Sequence, residues 1–446
     1  MSDDTIVSLS DVTVEFGSPG LLDPLRGRTE SGVRAVDAVS LEIESNDVVA
    51  LVGESGCGKT TLGKTAVGLQ RPTDGTVSYR GQDIWATRDG DSSATIPFEE
   101  IRHSLQIVHQ DPGSSLNGNR TVLSSLGDPL RRWQPELSAE QREATIYQVL
   151  ERVGLTPVET YATRFPHQLS GGERQRIALG RALLVQPDLV LADEAVSALD
   201  VSLRIEMMDL MLELQSTVET SFLFVSHDLA NARYLTERAG GRIGVMYLGK
   251  LVEIGTPTEI IESPQHPYTK LLRWATPELD PSLARKAKAE TPPVRSIDVP
   301  DPTSLPSGCR FHPRCPKMLP PETVEIDQKA YNEVLDVRER LDDGELSEPA
   351  ALLATDDPTQ QGLYDELFSV ELGGQNREVV ERALCAVLDD EPEQASELLR
   401  KRFESICERS EPALPDGDHP VACHLETSES ATDSSDGRTD GGAPED

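Results

Sequence analysis

The chain has 446 residues, enough for two or three domains of ordinary size, so its core needs no disulfide scaffold. Its formal net charge of -35 argues against a nucleic-acid partner, because binding to phosphates draws on clustered Lys and Arg side chains. The opening residues MSDDTIVSLS lack the pattern of a signal peptide, and no stretch approaches the ~18 consecutive apolar residues of a membrane-spanning helix.

Acidic residues run through the whole chain, and Arg far outnumbers Lys among the basic residues. Such a surface is typical of a cytoplasm of high ionic strength, where salt screens the charge repulsion. We therefore expect a halophilic source. The alternative is that the excess charge sits in one acidic tail, and the tail ETSESATDSSDGRTDGGAPED does contribute.

The N-terminal part is predicted to form β-strands. VTVEF and VRAVDAVSLEI alternate apolar and polar residues, whereas DVVALVG is a short apolar run typical of a buried central strand. From about residue 85 to 170 the pattern is polar and helical, and SAEQREATIYQVLERVGL carries a serine start signal. Residues 175–250 return to strand–helix alternation, with PDLVLAD and SFLFVS as two more buried strands.

The C-terminal part has a different character. One helix is predicted after Pro257, followed by the Pro- and Asp-rich linker KAETPPVRSIDVPDPTSLPS. Residues 318–405 are acidic and mostly helical in pattern, and the last twenty or so residues are predicted to be disordered.

The segment GESGCGKT at residues 53–60 matches G-x-x-x-x-G-K-S/T between a predicted buried strand and a helix. Its glycines let backbone N–H groups surround a β-phosphate, which the helix N-terminus also favours. Lys59 would reach the β- and γ-phosphates, and the Thr60 hydroxyl would ligate Mg²⁺. The alternative, a chance glycine-rich turn, is disfavoured by the flanking strand and helix. The predicted ATP-binding residues are Gly53, Glu54, Ser55, Gly56, Cys57, Gly58, Lys59, Thr60 and Thr61, with Cys57 as a space-filling residue.

Two carboxylates end another predicted buried strand, in DLVLADE at residues 188–194. Asp193 is predicted to hold Mg²⁺, directly or through water. Glu194 is predicted to take a proton from the attacking water. A solvated carboxylate pair is the alternative, and it is the weaker one beside the glycine-rich loop.

A third segment, LSGGERQR at residues 169–176, lies between these two motifs, and here the chain resembles the ATP-binding subunit of ABC transporters, whose signature is LSGGQ. Other family motifs follow in order. Gln110 in VHQDP resembles the Q-loop glutamine, SALD at residues 197–200 resembles the D-loop, and His227 in VSHDL resembles the switch histidine. The resemblance covers roughly residues 5–280 and implies a RecA-like P-loop α/β core with an antiparallel β subdomain and an inserted helical subdomain.

The resemblance and the composition together divide the chain into parts. These are an ABC ATPase domain at 1–257 with a helical subdomain at about 85–175, a cysteine-containing C-terminal extension in two parts at 258–317 and 406–427, an acidic insertion at 318–405 between them, and a disordered acidic tail at 428–446.

The signature also predicts a dimer. Ser170 and the backbone of Gly171 and Gly172 precede a helix and form a second anion-binding cap. In the family this cap covers the nucleotide of the other subunit in a head-to-tail sandwich, whose opening after hydrolysis is the power stroke. The resemblance further implies that Gln110 contacts Mg²⁺ or water and couples to the transmembrane partner, and that His227 contacts the γ-phosphate. A solvated turn residue and a satisfied loop histidine are the respective alternatives.

Phe16 is the candidate for the aromatic residue on which the family stacks adenine, an interaction worth ~1–3 kcal/mol. It could equally be a core residue at a strand end. The insertion SPGLLDPLRGRTESG follows it. Two positions depart mildly from the family pattern: Ala195 stands where many relatives carry Pro, and Glu173 ends the signature in place of Gln.

The region after the core resembles the oligopeptide/dipeptide permease branch, through HPYT at 266–269, LPSGCRFHPRCP and HPVACHL, and the insertion near residue 20 resembles that of its second ATPase subunit. This implies ATP-driven uptake of dipeptides or oligopeptides at the cytoplasmic face of the plasma membrane. The implied partners are a sister ATPase subunit, two transmembrane permease subunits and, indirectly, an extracellular solute-binding protein. A heterodimer is favoured over a homodimer. Nickel and some sugar importers share the branch, so the cargo stays open.

Two rival interpretations come from other functional classes. Soluble ABC proteins that act on DNA or ribosomes usually carry two cassettes or a long coiled-coil insertion, whereas this chain has one cassette, no heptad run and a net charge of -35. The other rival is a metal- or redox-sensing regulator that uses the C-terminal cysteines.

Four of the six cysteines form two pairs, Cys309/Cys315 and Cys407/Cys423, on either side of the acidic insertion. Stable disulfides are rare in the cytosol, so paired thiols suggest a metal, and a C-x5-C pair with a Cys-Pro step is compatible with four thiolates around an iron–sulfur cluster. The permease branch carries this pattern, which implies a [4Fe-4S] cluster of structural role.

Other states of these cysteines stay open. They include unliganded thiols, zinc, and a histidine ligand from His312, His419 or His424. Cys385, in VVERALCAVL, is predicted to be a core residue of a helix.

Overall fold

The computed structural model describes residues 4–17, 32–111, 116–276, 294–296, 298–346 and 358–426. Most of the insertion after Phe16, part of the Pro-rich linker and the tail predicted as disordered lie outside these residues. Among the helices of the described ranges, none has the length and apolar character needed to cross a membrane. The chain divides into two compact units, one drawn from Met1–Gln265, Leu272–Ala284 and Pro415–Pro420 and the other from His266–Leu271, Arg285–Leu414 and Val421–Asp446.

The strands of the described residues belong to the first unit. In chain order they are β1 (Thr5–Phe16), β2 (Val33–Glu44), β3 (Val48–Val52), β4 (Asp74–Tyr79), β5 (Gln82–Asp83), β6 (Leu105–Val108), β7 (Leu189–Asp193), β8 (Ser221–Val225), β9 (Arg242–Tyr247) and β10 (Lys250–Gly255). The helices that alternate with them are α1 (Lys59–Ala66), α2 (Ile84–Arg88), α3 (Phe98–Ser104), α4 (Val122–Trp133), α5 (Ala139–Arg152), α6 (Val158–Thr163), α7 (Gly171–Leu183), α8 (Val201–Val218), α9 (Leu229–Ala239) and α10 (Pro257–Glu262).

A six-stranded sheet forms the centre of the first unit, in the order β10-β9-β3-β8-β7-β6. Only the β9–β10 pair is antiparallel; the pairs from β9 through β3, β8 and β7 to β6 are parallel. The runs VVALV, LVLAD and SFLFV are buried at every position, as strands covered on both faces must be. Because the parallel strands end at one edge, the segments that follow β3, β7 and β8 converge there.

The second sheet is antiparallel, with the order β2-β1-β4-β5. Strand β2 alternates buried and exposed positions over most of its length, as predicted, whereas the first five residues of β1 are all buried. Together, the parallel core, the antiparallel sheet and the helices between β6 and β7 confirm the predicted fold class.

The helical segment begins where the sequence signals indicate. Ser138 caps α5: its hydroxyl accepts a hydrogen bond from the Gln141 N–H at 3.2 Å, while its own N–H donates to the Gln141 side chain at 2.8 Å. Strand β6 lies within the range predicted for the helical subdomain but pairs with β7 in the central sheet. The domain boundaries themselves stay a prediction.

Beyond α10 the remaining helices are α11 (Pro267–Ala275), α12 (Gln328–Asp342), α13 (Gln360–Leu367), α14 (Gly374–Leu388), α15 (Pro392–Phe403) and α16 (Ile406–Arg409). In the second unit α15 packs against both α12 and α14. Tyr331 and Phe403 are fully buried there, and the Tyr331 hydroxyl donates to the Phe403 carbonyl at 2.9 Å. The segment predicted as an acidic insertion therefore contains a hydrophobic core.

Candidate functional site

The glycine-rich loop connects the end of β3 to the start of α1 and needs glycine at specific positions. Gly53 and Gly58 have φ values of 152° and 105°. A Cβ atom at Gly53 would lie 2.2 Å from the Met246 carbonyl oxygen, and one at Gly58 would lie 2.0 Å from the Ala35 carbonyl oxygen. The close approach of neighbouring backbone thus fixes glycine here, and Ser55 and Gly56 lie exposed at the tip of the loop.

Lys59 folds back over this loop. Its Nζ donates hydrogen bonds to the carbonyls of Gly53 at 2.9 Å and Glu54 at 2.8 Å, and lies 3.6 Å from the Cys57 Sγ. Burial raises the pKa of the Cys57 thiol, so the thiol stays protonated. That state agrees with a space-filling role for Cys57.

The Thr60 hydroxyl and the Asp193 carboxylate meet at the carboxyl edge of the sheet. The hydroxyl donates to Asp193 Oδ1 at 2.6 Å, and Asp193 itself is buried at the end of β7. Adjacent ligands of an octahedral Mg²⁺ lie about 2.9 Å apart, so these two oxygens need only a small shift to share one ion. The pair fits a magnesium site.

Glu194 leaves the strand in a different direction from Asp193. Its φ of 48° is in the left-handed region, and its N–H donates to the Val225 carbonyl at 3.1 Å. One Glu194 carboxylate oxygen lies 3.6 Å from Nδ1 of His227, whose side chain is 55% exposed. The structure therefore brings the predicted base and the predicted switch histidine together at the ends of neighbouring strands.

The structure also places three further residues of the predicted nucleotide site. Gln110 is exposed two residues beyond β6, and since Val108 pairs with Ala192, Gln110 lies at the same edge as Asp193. Thr61 lies in the first turn of α1, where its carbonyl accepts from the Thr65 hydroxyl. Phe16 ends β1 and is 44% exposed, which disagrees with a core role.

The signature segment begins α7. Ser170 is the N-cap residue, and its hydroxyl accepts from the Glu173 N–H at 3.2 Å. Ser170 and Gly171 are exposed, and Gly172 packs toward Leu203 of α8. The Gly171 and Gly172 N–H groups belong to the first turn, where no intrahelical acceptor exists, so they are free to meet an anion.

The D-loop residues are held by short contacts. The Ser197 hydroxyl donates to the Glu194 carbonyl at 2.9 Å, and Asp200 caps α8 by accepting from the Leu203 N–H at 3.1 Å. The sequence did not reveal an ion pair between Arg204 and Asp228, in which the charged atoms are 3.5 Å apart. Asp228 is the residue that follows His227. No local signal could have found it, because the two residues lie on different helices.

The four paired cysteines line one small pocket in the second unit. Cys309, Cys315, Cys407 and Cys423 share it with His266, Phe311, His312 and His424. The Cys309 N–H donates to the Cys407 carbonyl at 2.8 Å, and all four thiols are free. Burial raises the pKa of Cys309 to about 12 and that of Cys423 to about 11, and it raises the pKa of Cys315 as well.

The pocket does not form a ready metal site. Across the residues the structure describes, no group of three or more His, Cys, Asp or Glu side chains is arranged to hold a metal ion. The free volume between the lining residues is about 10 Å³, the space of about one water molecule. The expectation of a [4Fe-4S] cluster is therefore unsupported as the thiols stand.

His419 and Cys385 lie outside the pocket lining. His419 Nε2 lies 2.8 Å from a carboxylate oxygen of Glu253, which is fully buried in the first unit, and His419 is not among the residues that line the cysteine pocket. The prediction that Cys385 is a core residue is wrong, because its side chain is exposed. Its neighbours Ala383, Leu384, Ala386 and Val387 take the buried face of α14.

Three protein families match the chain. The ABC transporter family matches residues 36–197, and the family of the C-terminal region of oligopeptide/dipeptide transporters matches residues 252–320. A domain of unknown function, DUF8228, matches residues 328–420. The last match covers α12 to α16, the helices that follow the cysteine pair at 309 and 315.

Curated relatives are similar over most of their own length. The oligopeptide transport ATP-binding protein AppF of Bacillus subtilis is 38% identical over 321 residues, which is 71% of this chain and 91% of the relative. The dipeptide transport ATP-binding protein DppF of Haemophilus influenzae is 42% identical over 64% of this chain and 81% of its own length. The oligopeptide transport ATP-binding protein OppF of Salmonella typhimurium is 38% identical over 64% and 80%.

Proposed function

Because the chain belongs to the ABC transporter ATPases of the oligopeptide/dipeptide family, we propose that it binds ATP and Mg²⁺ and hydrolyses ATP to drive the uptake of dipeptides or oligopeptides through transmembrane partners. The observation that carries this proposal is the 2.6 Å contact between Thr60 and Asp193, which joins the phosphate loop to the strand end that also bears Glu194.

The first step is nucleotide binding. The loop from Gly53 to Gly58 presents its N–H groups to the β-phosphate, and Lys59 exchanges the carbonyls of Gly53 and Glu54 for the β- and γ-phosphates. Thr60 and Asp193 would hold Mg²⁺, which neutralises phosphate charge. Phe16 stacks on adenine, since its exposed ring lies at a strand end.

Hydrolysis then needs a base and a group that senses the γ-phosphate. Glu194 takes the proton of the attacking water. His227, whose Nδ1 lies 3.6 Å from a Glu194 carboxylate oxygen, orients that carboxylate and contacts the γ-phosphate. Gln110 contacts Mg²⁺ or the attacking water from the same sheet edge. Ser170, Gly171 and Gly172 of a partner ATPase cover the phosphates from the other side, because their exposed helix start accepts an anion.

The proposed assembly has a sister ATPase subunit and two transmembrane permease subunits at the cytoplasmic face of the plasma membrane, with a solute-binding protein acting outside. Supporting this are the names of the relatives, all peptide transport ATP-binding proteins. A ribosome- or DNA-associated role is the second candidate, and the net charge of -35 disfavours it.

The test is reconstitution. The full chain is co-purified with its permease subunits and sister ATPase, and uptake of a labelled dipeptide, a labelled oligopeptide, nickel and a sugar is measured in vesicles. Peptide uptake that requires ATP and stops with Glu194→Gln supports the proposal. Transport of nickel or sugar alone would reassign the cargo, and co-purification with ribosomes in place of permease subunits would overturn the proposal.

We also propose that the four clustered cysteines bind a [4Fe-4S] cluster that ties the C-terminal segments together. What supports it is that Cys309, Cys315, Cys407 and Cys423 line one pocket although the two pairs are about a hundred residues apart. The thiols would have to move apart and deprotonate, because the pocket holds only about 10 Å³ and the thiols are buried.

Anaerobic purification with iron and sulfide analysis tests the cluster. About four irons and four sulfides per chain, lost together in Cys309→Ser and Cys423→Ser, support it. Cys385→Ser, which changes the exposed cysteine, is the matched control and should retain the iron. Metal-free protein that is fully folded would rule it out, and zinc in place of iron would change the assignment.

A further inference from the structure

Glu173 in the signature segment is a charged residue where the related motif has a neutral amide, and its surroundings keep it charged. The Ser170 N–H donates to Glu173 Oε2 at 2.6 Å, and the Tyr161 hydroxyl donates to Oε1 at 2.8 Å. The backbone hydrogen bond from Ser170 is the main cause that lowers the pKa of the Glu173 carboxyl. The side chain therefore carries a full negative charge at neutral pH.

This charge sits at the end of α7 that attracts anions. The first-turn N–H groups and the macrodipole of a helix place about half a positive charge at its N-terminus, and here the Glu173 carboxylate occupies part of that field. Arg164 offsets some of the negative charge, since its guanidinium lies 3.8 Å from Oε1 and stacks over the Tyr161 ring at 4.8 Å. Both groups are partly exposed, so the offset is incomplete.

The carboxylate also engages the same cap that an arriving phosphate would use. The Ser170 N–H donates to the Glu173 carboxylate, and the Glu173 N–H donates to the Ser170 hydroxyl. These two hydrogen bonds form a reciprocal capping box. A phosphate that docks on Ser170, Gly171 and Gly172 therefore meets a fixed negative charge within one helical turn. A glutamine would close the same box without that charge.

We propose that Glu173 weakens the closed nucleotide sandwich by electrostatic repulsion of the partner's ATP, and so acts as a residue that sets how readily the ATPase dimer opens. The inference rests on the proposed function, because it takes the sandwich arrangement as given. Tyr161 and Arg164 act through Glu173 as positioning residues: they hold the carboxylate at the cap and moderate its charge.

The experiment uses the full chain carrying Glu194→Gln, alone and with its sister ATPase subunit, and measures the dimer dissociation constant in ATP by sedimentation. Adding Glu173→Gln should tighten the dimer about twofold to fivefold per nucleotide site at low salt, the range typical of a charge at a helix N-terminus. The gain should fall below about twofold in 1 M KCl, where the screening length is about 3 Å. Binding of ATP to the monomer should not change.

Two further variants separate charge from structure. Glu159→Gln removes an exposed acidic charge from α6 without touching the signature and should leave the dimer constant unchanged. Tyr161→Phe removes one donor from the carboxylate and should weaken the dimer, opposite in sign to Glu173→Gln. A purely structural role of Glu173 predicts a weaker dimer in both signature-contacting variants, because both loosen the start of α7.

The outcomes are distinct. A dimer constant that is the same with Glu and Gln at position 173, or a gain that persists unchanged at 1 M KCl, overturns the inference and leaves the proposed function intact. If the Glu194→Gln parent forms no ATP-dependent dimer in either setting, the sandwich itself fails and the proposed function must be revised.

Discussion

Asp193 and Glu194 are adjacent in the chain, yet their carboxylates meet different partners. Asp193 remains in the strand and accepts the Thr60 hydroxyl, whereas Glu194 takes a left-handed conformation and lies beside His227. A non-glycine residue pays for such a conformation unless neighbouring contacts hold it, and the bond from the Glu194 N–H to Val225 does so. One strand end thus places the proposed metal ligand and the proposed base in separate surroundings.

Glu194→Gln should leave ATP binding unchanged and lower turnover by at least about a hundredfold, because it removes the base and keeps the size of the side chain. Phosphate release and nucleotide affinity, measured on the same preparation, check it. Near-normal hydrolysis would contradict the assignment of Glu194.

Lys59 is predicted to act on binding itself. Lys59→Ala should weaken ATP affinity by about tenfold or more, because it deletes a charged donor from the phosphate loop. Lys64→Ala is the matched control, since it removes the same kind of charge from the last turn of the same helix, beyond the first turn that carries Lys59. Equal ATP affinity in the two variants, measured by calorimetry, would count against the loop assignment.

His266 gives the second unit a specific pH dependence. Full burial lowers the pKa of His266 from 6.5 to about 3, and its Nδ1 accepts from the Tyr268 N–H at 3.0 Å. The unfolded chain takes up the proton at a higher pH than the folded chain does, so protonation of His266 favours unfolding. The free energy of unfolding is therefore unaffected by His266 above pH 6.5 and decreases as pH falls toward 3. At pH 5 the loss is about 2 kcal/mol.

Unfolding of the full chain in urea at pH 7 and pH 5 tests this effect. His266→Asn keeps an acceptor but has no titratable ring, so its stability should fall less between the two pH values than that of the unchanged chain. The same fall in both proteins would show that His266 does not contribute.

At the scale of elements, α12 is joined to α16 by a nearly buried ion pair. Arg338 and Glu408 have side-chain exposures of 8% and 12%, and Glu408 also accepts from the Ser405 N–H at 2.8 Å beside Cys407. The helices matched by the domain of unknown function therefore hold the segment that carries one of the clustered cysteines.

Breaking this pair from one side should be costly. Arg338→Met leaves a buried carboxylate and should destabilise the second unit by about 3 kcal/mol, whereas Arg340→Met, from a more exposed pair on the same helix, should cost less than about 1 kcal/mol. Adding Glu408→Gln to Arg338→Met should restore much of the loss. Reaction of the buried Cys407 with a thiol reagent in rising urea reports the unfolding; equal effects of the two Arg changes would contradict it.

How far the sequence predicts the molecule depends on the range of the interactions. The phosphate loop, the strand-end carboxylates and the Ser138 cap follow from residues close in sequence, and their patterns identify them. The contacts of Glu173 with Tyr161 and Arg164 depend on how α6 meets α7, which no local pattern encodes. The pattern around Cys385 predicts a core residue, but the side chain is exposed, because an apolar stretch does not reveal which of its members faces the core.

For the whole molecule, the net charge of -35 predicts a dependence on salt. Like charges repel most in the compact state, and screening relieves this repulsion, so the melting temperature should rise by several degrees between about 0.1 M and 2 M KCl. Sucrose of equal osmolarity is the control, because it stabilises without screening. A melting temperature that is flat or falling in KCl would contradict both the electrostatic argument and a halophilic source.

The bond between His419 and Glu253 has a consequence for synthesis on the ribosome. The two residues are 166 positions apart, and the Ile254 N–H at the edge of the central sheet donates to the Pro420 carbonyl beside them. At about 5–20 residues per second, strand β10 emerges roughly 8–33 s before the segment that covers it. During that interval the nascent chain carries an open strand edge that the segment around Pro420 has not yet covered, and the acidic side chain of Glu253 on this strand disfavours pairing of the edge with a neighbouring chain.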